Sequence, residues 1–229
     1  MRYALVLLGI ALLSMPAQAQ QKENDRVQNA GAVMKEILNV PDNIPQELLD
    51  KAECVIVLPS VLKFAIAFGG SYGRGVMTCR GGKDFDGAWA APTMMALEGG
   101  SFGFQLGGQA TDYVLLVMNP RGADSVLSSK VKLGVGIAAA AGPKGRDASA
   151  ATDVALRAEI LSYSRSRGLF AGAFLDGSTL RPDNNANQKL YGQKLTAKEI
   201  ALEGKVAPSS SAEELLAVLN KRSPKHAAG

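Results

Sequence analysis

The stretch Gly99–Asn119, GGSFGFQLGGQATDYVLLVMN, constrains the fold more than any other part of the chain. Its first half alternates: Phe102, Phe104 and Leu106 fall on one face, and Ser101, Gly103, Gln105 and Gly107 on the other. A period of two predicts a β-strand with one face in a core. The opposite face is almost bare, so a second backbone or a ligand can come close there. Gly107-Gly108 interrupts the pattern, Tyr113–Met118 is a continuous apolar run suited to a fully buried strand, and Asn119-Pro120-Arg121-Gly122 supplies a turn.

Similar alternation recurs along the chain. Cys54–Leu58, Phe64–Phe68, Ser71–Cys79, Ala88–Leu97 and Val131–Ala139 read as strands, and Ala155–Ser164 and Gly168–Leu175 read as a hairpin around Arg165-Ser166-Arg167. Val27, Ala30, Val33, Met34, Ile37 and Leu38 lie at helical spacing, which predicts an amphipathic helix over Gln21–Asn39. Short helices are expected at Gln46–Ala52, Gly122–Lys130, Asp183–Tyr191, Thr196–Glu203 and Ser211–Lys221. Thr196 and Ser211 each stand three residues before a glutamate, the spacing of a capping box. No strand–helix–strand alternation is visible, so the class is α+β: a strongly curved antiparallel sheet or closed barrel with N- and C-terminal helices packed on it.

Residues 1–19 carry Arg2, an apolar run Ala4–Leu13 and an A-x-A ending, the pattern of a signal peptide cleaved after about Ala19. The expected organisation is therefore residues 1–19 as signal, 20–222 as one domain, and 223–229 as a disordered tail. The implied compartment is the periplasm, with the mature chain soluble or peripherally associated with membrane. The whole-chain charge of +4 permits anionic partners, and no Lys/Arg run resembles a nucleic-acid tail.

Candidate sites are few. Gly99-Gly100-Ser101-Phe102-Gly103 matches G-x-S-x-G, which raises a remote serine-hydrolase reading at Ser101. However, the alternation runs straight through Ser101, and the sole histidine, His226, lies in the tail. A general base must reach its nucleophile, so no catalytic residue is assigned and the chain is expected not to be an enzyme. Asp183–Asn187 lacks the glycine and closing glutamate of a calcium loop, and one His with two Cys makes no zinc set. Neither metal nor cofactor is expected. Cys54 and Cys79 could form a disulfide or remain buried thiols, because spacing alone does not show their proximity. Phe64, Phe68, Tyr72, Phe102, Phe104, Phe170 and Phe174 are expected in the core.

The central stretch, together with Val57–Val61, Phe68–Cys79, Trp89–Pro92, Ala141–Arg146 and Ala158–Gly172, resembles the SYLF domain family over roughly residues 50–192. This resemblance implies a phospholipid-binding module whose eukaryotic members include actin-binding proteins. It singles out glycine-flanked and turn cations for anionic headgroups: Lys144 and Arg146 first, then Arg165, Arg167 and Arg74, with Lys63 added. The expectation is a non-catalytic phospholipid-binding protein of a bacterial envelope. The alternative is a periplasmic interaction or scaffold module with a protein partner or a second copy. Actin is set aside as a partner, since an exported bacterial chain would not ordinarily meet it.

Overall fold

The computed structural model describes residues 15–41, 43–66, 68–82, 84–102, 109–143, 157–166, 169–173, 175 and 177–227. Helix α1 (Met15–Asn39) and helix α2 (Gln46–Lys51) precede four long strands: β1 (Cys54–Ile66), β2 (Phe68–Cys79), β3 (Thr93–Phe102) and β4 (Gln109–Val117). Helix α3 (Pro120–Ser128), strands β5 (Val131–Lys132), β6 (Ala139–Ala141), β7 (Ile160–Ser166), β8 (Leu169–Gly172) and β9 (Thr179–Pro182), and helices α4 (Asn184–Tyr191), α5 (Ala197–Ala201) and α6 (Glu213–Arg222) follow.

The strands form one curled sheet in the order β5-β9-β3-β2-β1-β4-β7-β6, with β8 also on β7. The fold is α+β, as the alternation predicts. Both faces of the sheet are covered. Val55, Val57, Val76, Val114 and Leu116 face a core made with α1, α2, α4 and α6, to which α1 contributes Val27, Ala30, Met34, Ile37 and Leu38. Cys54, Ile56, Leu58, Met77, Leu115 and Val117 face a second core completed by Ala123 and Val126 of α3 and Ala197 of α5. Two buried faces explain why β1 and β4 read as continuous apolar runs. Each large aliphatic side chain so buried contributes roughly 1.5–3 kcal/mol.

Several elements differ from expectation for identifiable reasons. The two strands expected at Cys54–Leu58 and Phe64–Phe68 are one strand, β1, interrupted by a bulge: its register against β2 shifts between Val57 and Leu62. Ser60 in the bulge takes φ +50°. The sheet is mixed rather than purely antiparallel, because β6 runs parallel to β7. The long connection from Ala141 to Ile160 supplies the crossover that a parallel pair needs. Val131–Ala139 is not one strand: Gly134 at φ +77° turns the chain, and the Gly136 amide donates to the Lys132 carbonyl at 2.8 Å. The short strand β9 was not expected. The alternation over residues 103–108 lies outside the described residues.

The bulge also explains one glycine. A Cβ on Gly75 would sit 1.9 Å from the Val57 carbonyl oxygen, so β1 and β2 meet there only because the side chain is absent. At the other end of the same hairpin Cys54 stands opposite Cys79, their Cα atoms 3.9 Å apart, and a disulfide joins them.

Helix α1, described from Met15 onward, runs through Ala19, where cleavage is expected. At the other terminus, Ser223–Ala227 are docked rather than disordered. The Trp89 indole donates to the Ser223 carbonyl at 3.0 Å, and the Ala227 amide donates to the Asp50 carbonyl at 2.9 Å.

Candidate functional site

Where the first half of α1 crosses the β1 bulge, the chain leaves an open cleft of about 380 Å³. Helix α1 supplies Lys22, Asp25, Arg26 and Asn29; the bulge and β2 supply Leu62, Tyr72 and Arg74, among others. The cleft exists because β1 and β2 extend past the bulge. Register pairs Leu62 with Tyr72, and both side chains stand in solvent at 53% and 41% exposure. The expectation that Tyr72 is a core residue is therefore corrected: it lines the open cleft beside α1 instead of lying beneath the helix.

The cations of the cleft differ in how firmly they are held. The Arg74 guanidinium lies over the Tyr72 ring at 5.7 Å, donates to the Tyr72 oxygen, and stands 3.5 Å from Asp183 Oδ2. Burial works against its charge, yet Tyr72 and Asp183 outweigh burial and hold its pKa above the ordinary arginine value. Arg26 pairs with Glu23 one turn earlier, whose side chain is buried. Among the described residues Lys22 makes no ion pair, so its ammonium is the charge most available to a ligand. An anion entering here would meet the Lys22 ammonium, two oriented guanidinium groups and two exposed apolar side chains, with the Asp25 carboxylate also on the lining.

The other residues singled out from sequence do not gather at this cleft. Arg165 is in β7, not on a turn. Its Nε and Nη2 donate to Asp112 Oδ2 at 3.2 and 2.8 Å, and its Nη1 reaches Glu36 of α1. Again burial opposes the charge and the two carboxylates outweigh it, raising the pKa. Those donors are committed to holding α1 against the sheet. Lys63 lies on β1, paired with Ser71 and Gln109; its side chain, and all of Lys144, Arg146 and Arg167, lie outside the described residues. Lys22 and Arg26 were legible only as the polar face of a helix. No local signal marked Leu62 and Tyr72, since their exposure depends on what α1 leaves uncovered.

Ser101 and His226 lie at opposite ends of the sheet. Ser101 is in extended β3 opposite Gly69, near the β1–β2 turn, whereas His226 contacts Glu53 and the Lys51 carbonyl beside the far end of the hairpin. At about 3.3 Å per residue along β2 the gap is roughly 30 Å, so these two cannot act together. Asp183 caps α4, accepting from the Ala186 amide at 3.2 Å, and Asn187 bonds Met94 and Thr93 of β3. The Asp183–Asn187 run thus docks a helix. Among the described residues no group of three or more His, Cys, Asp or Glu could hold a metal ion.

The fold and the cleft define a curled α+β domain with a charged, apolar-rimmed surface site and no paired nucleophile and base among the described residues. A family model described as "Ysc84: Las17-binding protein actin regulator" matches residues 98–222, more than half of the chain. The chain belongs to that family.

It is similar to the SH3 domain-containing protein PJ696.02 of Schizosaccharomyces pombe, 35% identical over 82% of this chain and 43% of the relative. It is likewise similar to LAS seventeen-binding protein 3 of Saccharomyces cerevisiae, 35% identical over 78% of this chain and 39% of the relative. The SH3 domain-containing YSC84-like protein 1 of Mus musculus is 33% identical over 82% of this chain and 54% of its own length. The chain thus spans between two fifths and just over half of these relatives. The family description names a Las17-binding actin regulator, and the relatives' names refer to SH3 domains, to YSC84 and to binding of LAS seventeen. They also overturn one expectation: setting actin aside as a partner conflicts with a family described as an actin regulator.

Proposed function

We propose that this domain is a non-catalytic module that binds anionic phospholipid at a membrane surface through the cleft between α1 and the β1 bulge. The observation that carries the reading is the juxtaposition of exposed Leu62 and Tyr72 with Lys22, Arg26 and Arg74 in one open cleft. Headgroup oxygens would take the Lys22 ammonium and the outer edges of the guanidinium groups, while Leu62 and Tyr72 enter the interface. Lys144, Arg146 and Arg167 belong to the same proposal as additional headgroup contacts. So does the setting: export after cleavage near Ala19 and a peripheral place in a bacterial envelope. Among the described residues no helix is long and apolar enough to cross a membrane, and the proposal needs none.

A second reading is favoured by the family description of a Las17-binding actin regulator and by the name LAS seventeen-binding protein 3: the domain binds a protein partner in actin regulation. Parallel sedimentation separates the two. The protein is mixed with anionic vesicles, with neutral vesicles, and with actin filaments, each across a salt series. Pelleting with anionic vesicles that weakens with salt, and falls in Lys22→Ala and Leu62→Ala, supports the lipid reading. Pelleting with filaments alone replaces it by the second reading.

A further inference from the structure

The C-terminal residues Ser223–Ala227 grip the end of the β1–β2 hairpin that the disulfide also closes. Arg80, the residue after Cys79, is fully buried with its guanidinium 4.4 Å over the Trp89 ring. It donates to the Ser223 hydroxyl at 2.5 Å and to the Ala52 carbonyl at 3.3 Å. Ser223, itself fully buried, donates its own hydroxyl hydrogen bond to the Leu49 carbonyl at 3.3 Å. Glu53, the residue before Cys54, faces His226 at 3.3 Å. Between these two attachments the Arg80 amide donates to the Glu53 carbonyl at 2.9 Å, one rung beyond the disulfide-linked pair. The sulfurs lie in one core and Trp89 in the other, so the same end of the ladder is fastened from both faces of the sheet.

We propose that Ser223–Ala227 is a latch that backs up the Cys54–Cys79 disulfide. Either fastening alone keeps this end of the hairpin closed, and only loss of both opens it. The latch therefore lets the domain keep its fold in a reducing compartment as well as an oxidising one. The chemistry of the redox step is simple: a dithiol reductant gives two electrons and two protons, the S–S bond breaks, each sulfur becomes a thiol, and the reductant closes to its own cyclic disulfide.

The test compares the full-length protein, a chain ending at Arg222, and Ser223→Ala, each with and without dithiothreitol. Thiol labelling confirms reduction. The emission of Trp89, the chain's single tryptophan, reports the latch, and thermal midpoint reports stability. The expected result is that reduction of the full-length protein leaves Trp89 emission unchanged and lowers the midpoint by a few degrees. Reduction of either variant should red-shift the emission and lower the midpoint by more than the two separate losses combined. Additive losses overturn the proposal, as does a full-length protein whose Trp89 becomes exposed on reduction alone. A truncated chain that fails to fold even when oxidised also overturns mutual back-up, unless Ser223→Ala folds and shows the greater-than-additive loss.

Discussion

The Ser60 amide donates to Asp112 Oδ1 at 2.9 Å, and this bond holds the bulge residue of β1 at its φ of +50°. The other carboxylate oxygen of Asp112 takes the Arg165 guanidinium, which also reaches Glu36 on α1. One carboxylate thus fixes the bulge and ties two strands and a helix together beneath the cleft. Asp112→Ala removes both bonds and leaves a mostly buried arginine short of a partner. The expected loss is about 2–3 kcal/mol, read as a fall in thermal midpoint of about 5–10 °C. Asp112→Asn keeps an acceptor for Ser60 and should cost less.

Gly75→Ala should be among the most damaging single changes in the sheet. The new Cβ would meet a backbone oxygen at 1.9 Å, and a carbonyl inside a strand pair cannot swing aside as a side chain can. A destabilisation of about 3 kcal/mol or more is expected. Chemical denaturation measures it, and a variant as stable as the parent would show that the bulge can relax.

Asn187 is fully buried and binds β3 with both ends of its amide, accepting from the Met94 N–H at 2.6 Å and donating to the Thr93 hydroxyl at 2.8 Å. Asn187→Ala orphans a buried backbone donor and opens a small cavity, at about 2–4 kcal/mol. Hydrogen exchange at the Met94 amide should accelerate, whereas amides in β7 should be little affected.

Glu199 gives the clearest pH dependence. Its bond from Lys205, followed by those from the Thr196 amide and hydroxyl, pulls its pKa down to about 2. A carboxyl whose folded pKa lies below its unfolded value of about 4.3 stabilises the fold above that pH and ceases to as the pH falls through about 2. Glu199→Gln should therefore flatten the acid limb of the midpoint-against-pH curve between about 4 and 2, with the difference from the parent vanishing below. A carboxyl resonance titrating near 4 would refute the assignment.

Lys22→Ala should weaken binding to anionic vesicles about fivefold, the effect of roughly 1 kcal/mol per surface lysine at low to moderate salt. Lys22 is exposed, and its substitution should leave the thermal midpoint within about 1 °C. Unchanged vesicle binding would remove the cleft from the lipid proposal.

How much of this was legible in sequence depended on how local each feature is. The helical spacing of Val27, Ala30, Met34 and Ile37 is a property of α1 alone, and all four are buried where that spacing puts them. Thr196 and Glu199 form their capping box because one carboxylate oxygen of Glu199 serves Thr196 while the other takes Lys205. Ser211 has the same spacing to Glu214, yet its hydroxyl bonds Asn24 Oδ1 of α1, and a 3₁₀ turn replaces the expected cap. The residues Ser223-Pro224-Lys225-His226 have the composition of a loose end. What fixes them is Arg80 and Trp89, more than a hundred residues earlier in the chain. The cleft was hidden for the same reason, since Lys22 and Tyr72 meet only once α1 lies across the bulge.

The brevity of the margins of the sheet has a consequence for how the protein behaves in crowded solution. β5 and β6, which end the main strand order, are two and three residues long, and the turn at Gly134 carries the chain from one to the other. A glycine-rich sheet with long, flat margins would offer a row of open amide and carbonyl groups on which further copies could stack. At β5 and β6 an incoming strand finds only one or two such groups before the chain bends away. The two ends of that strand order thus give a growing fibril little to pair with.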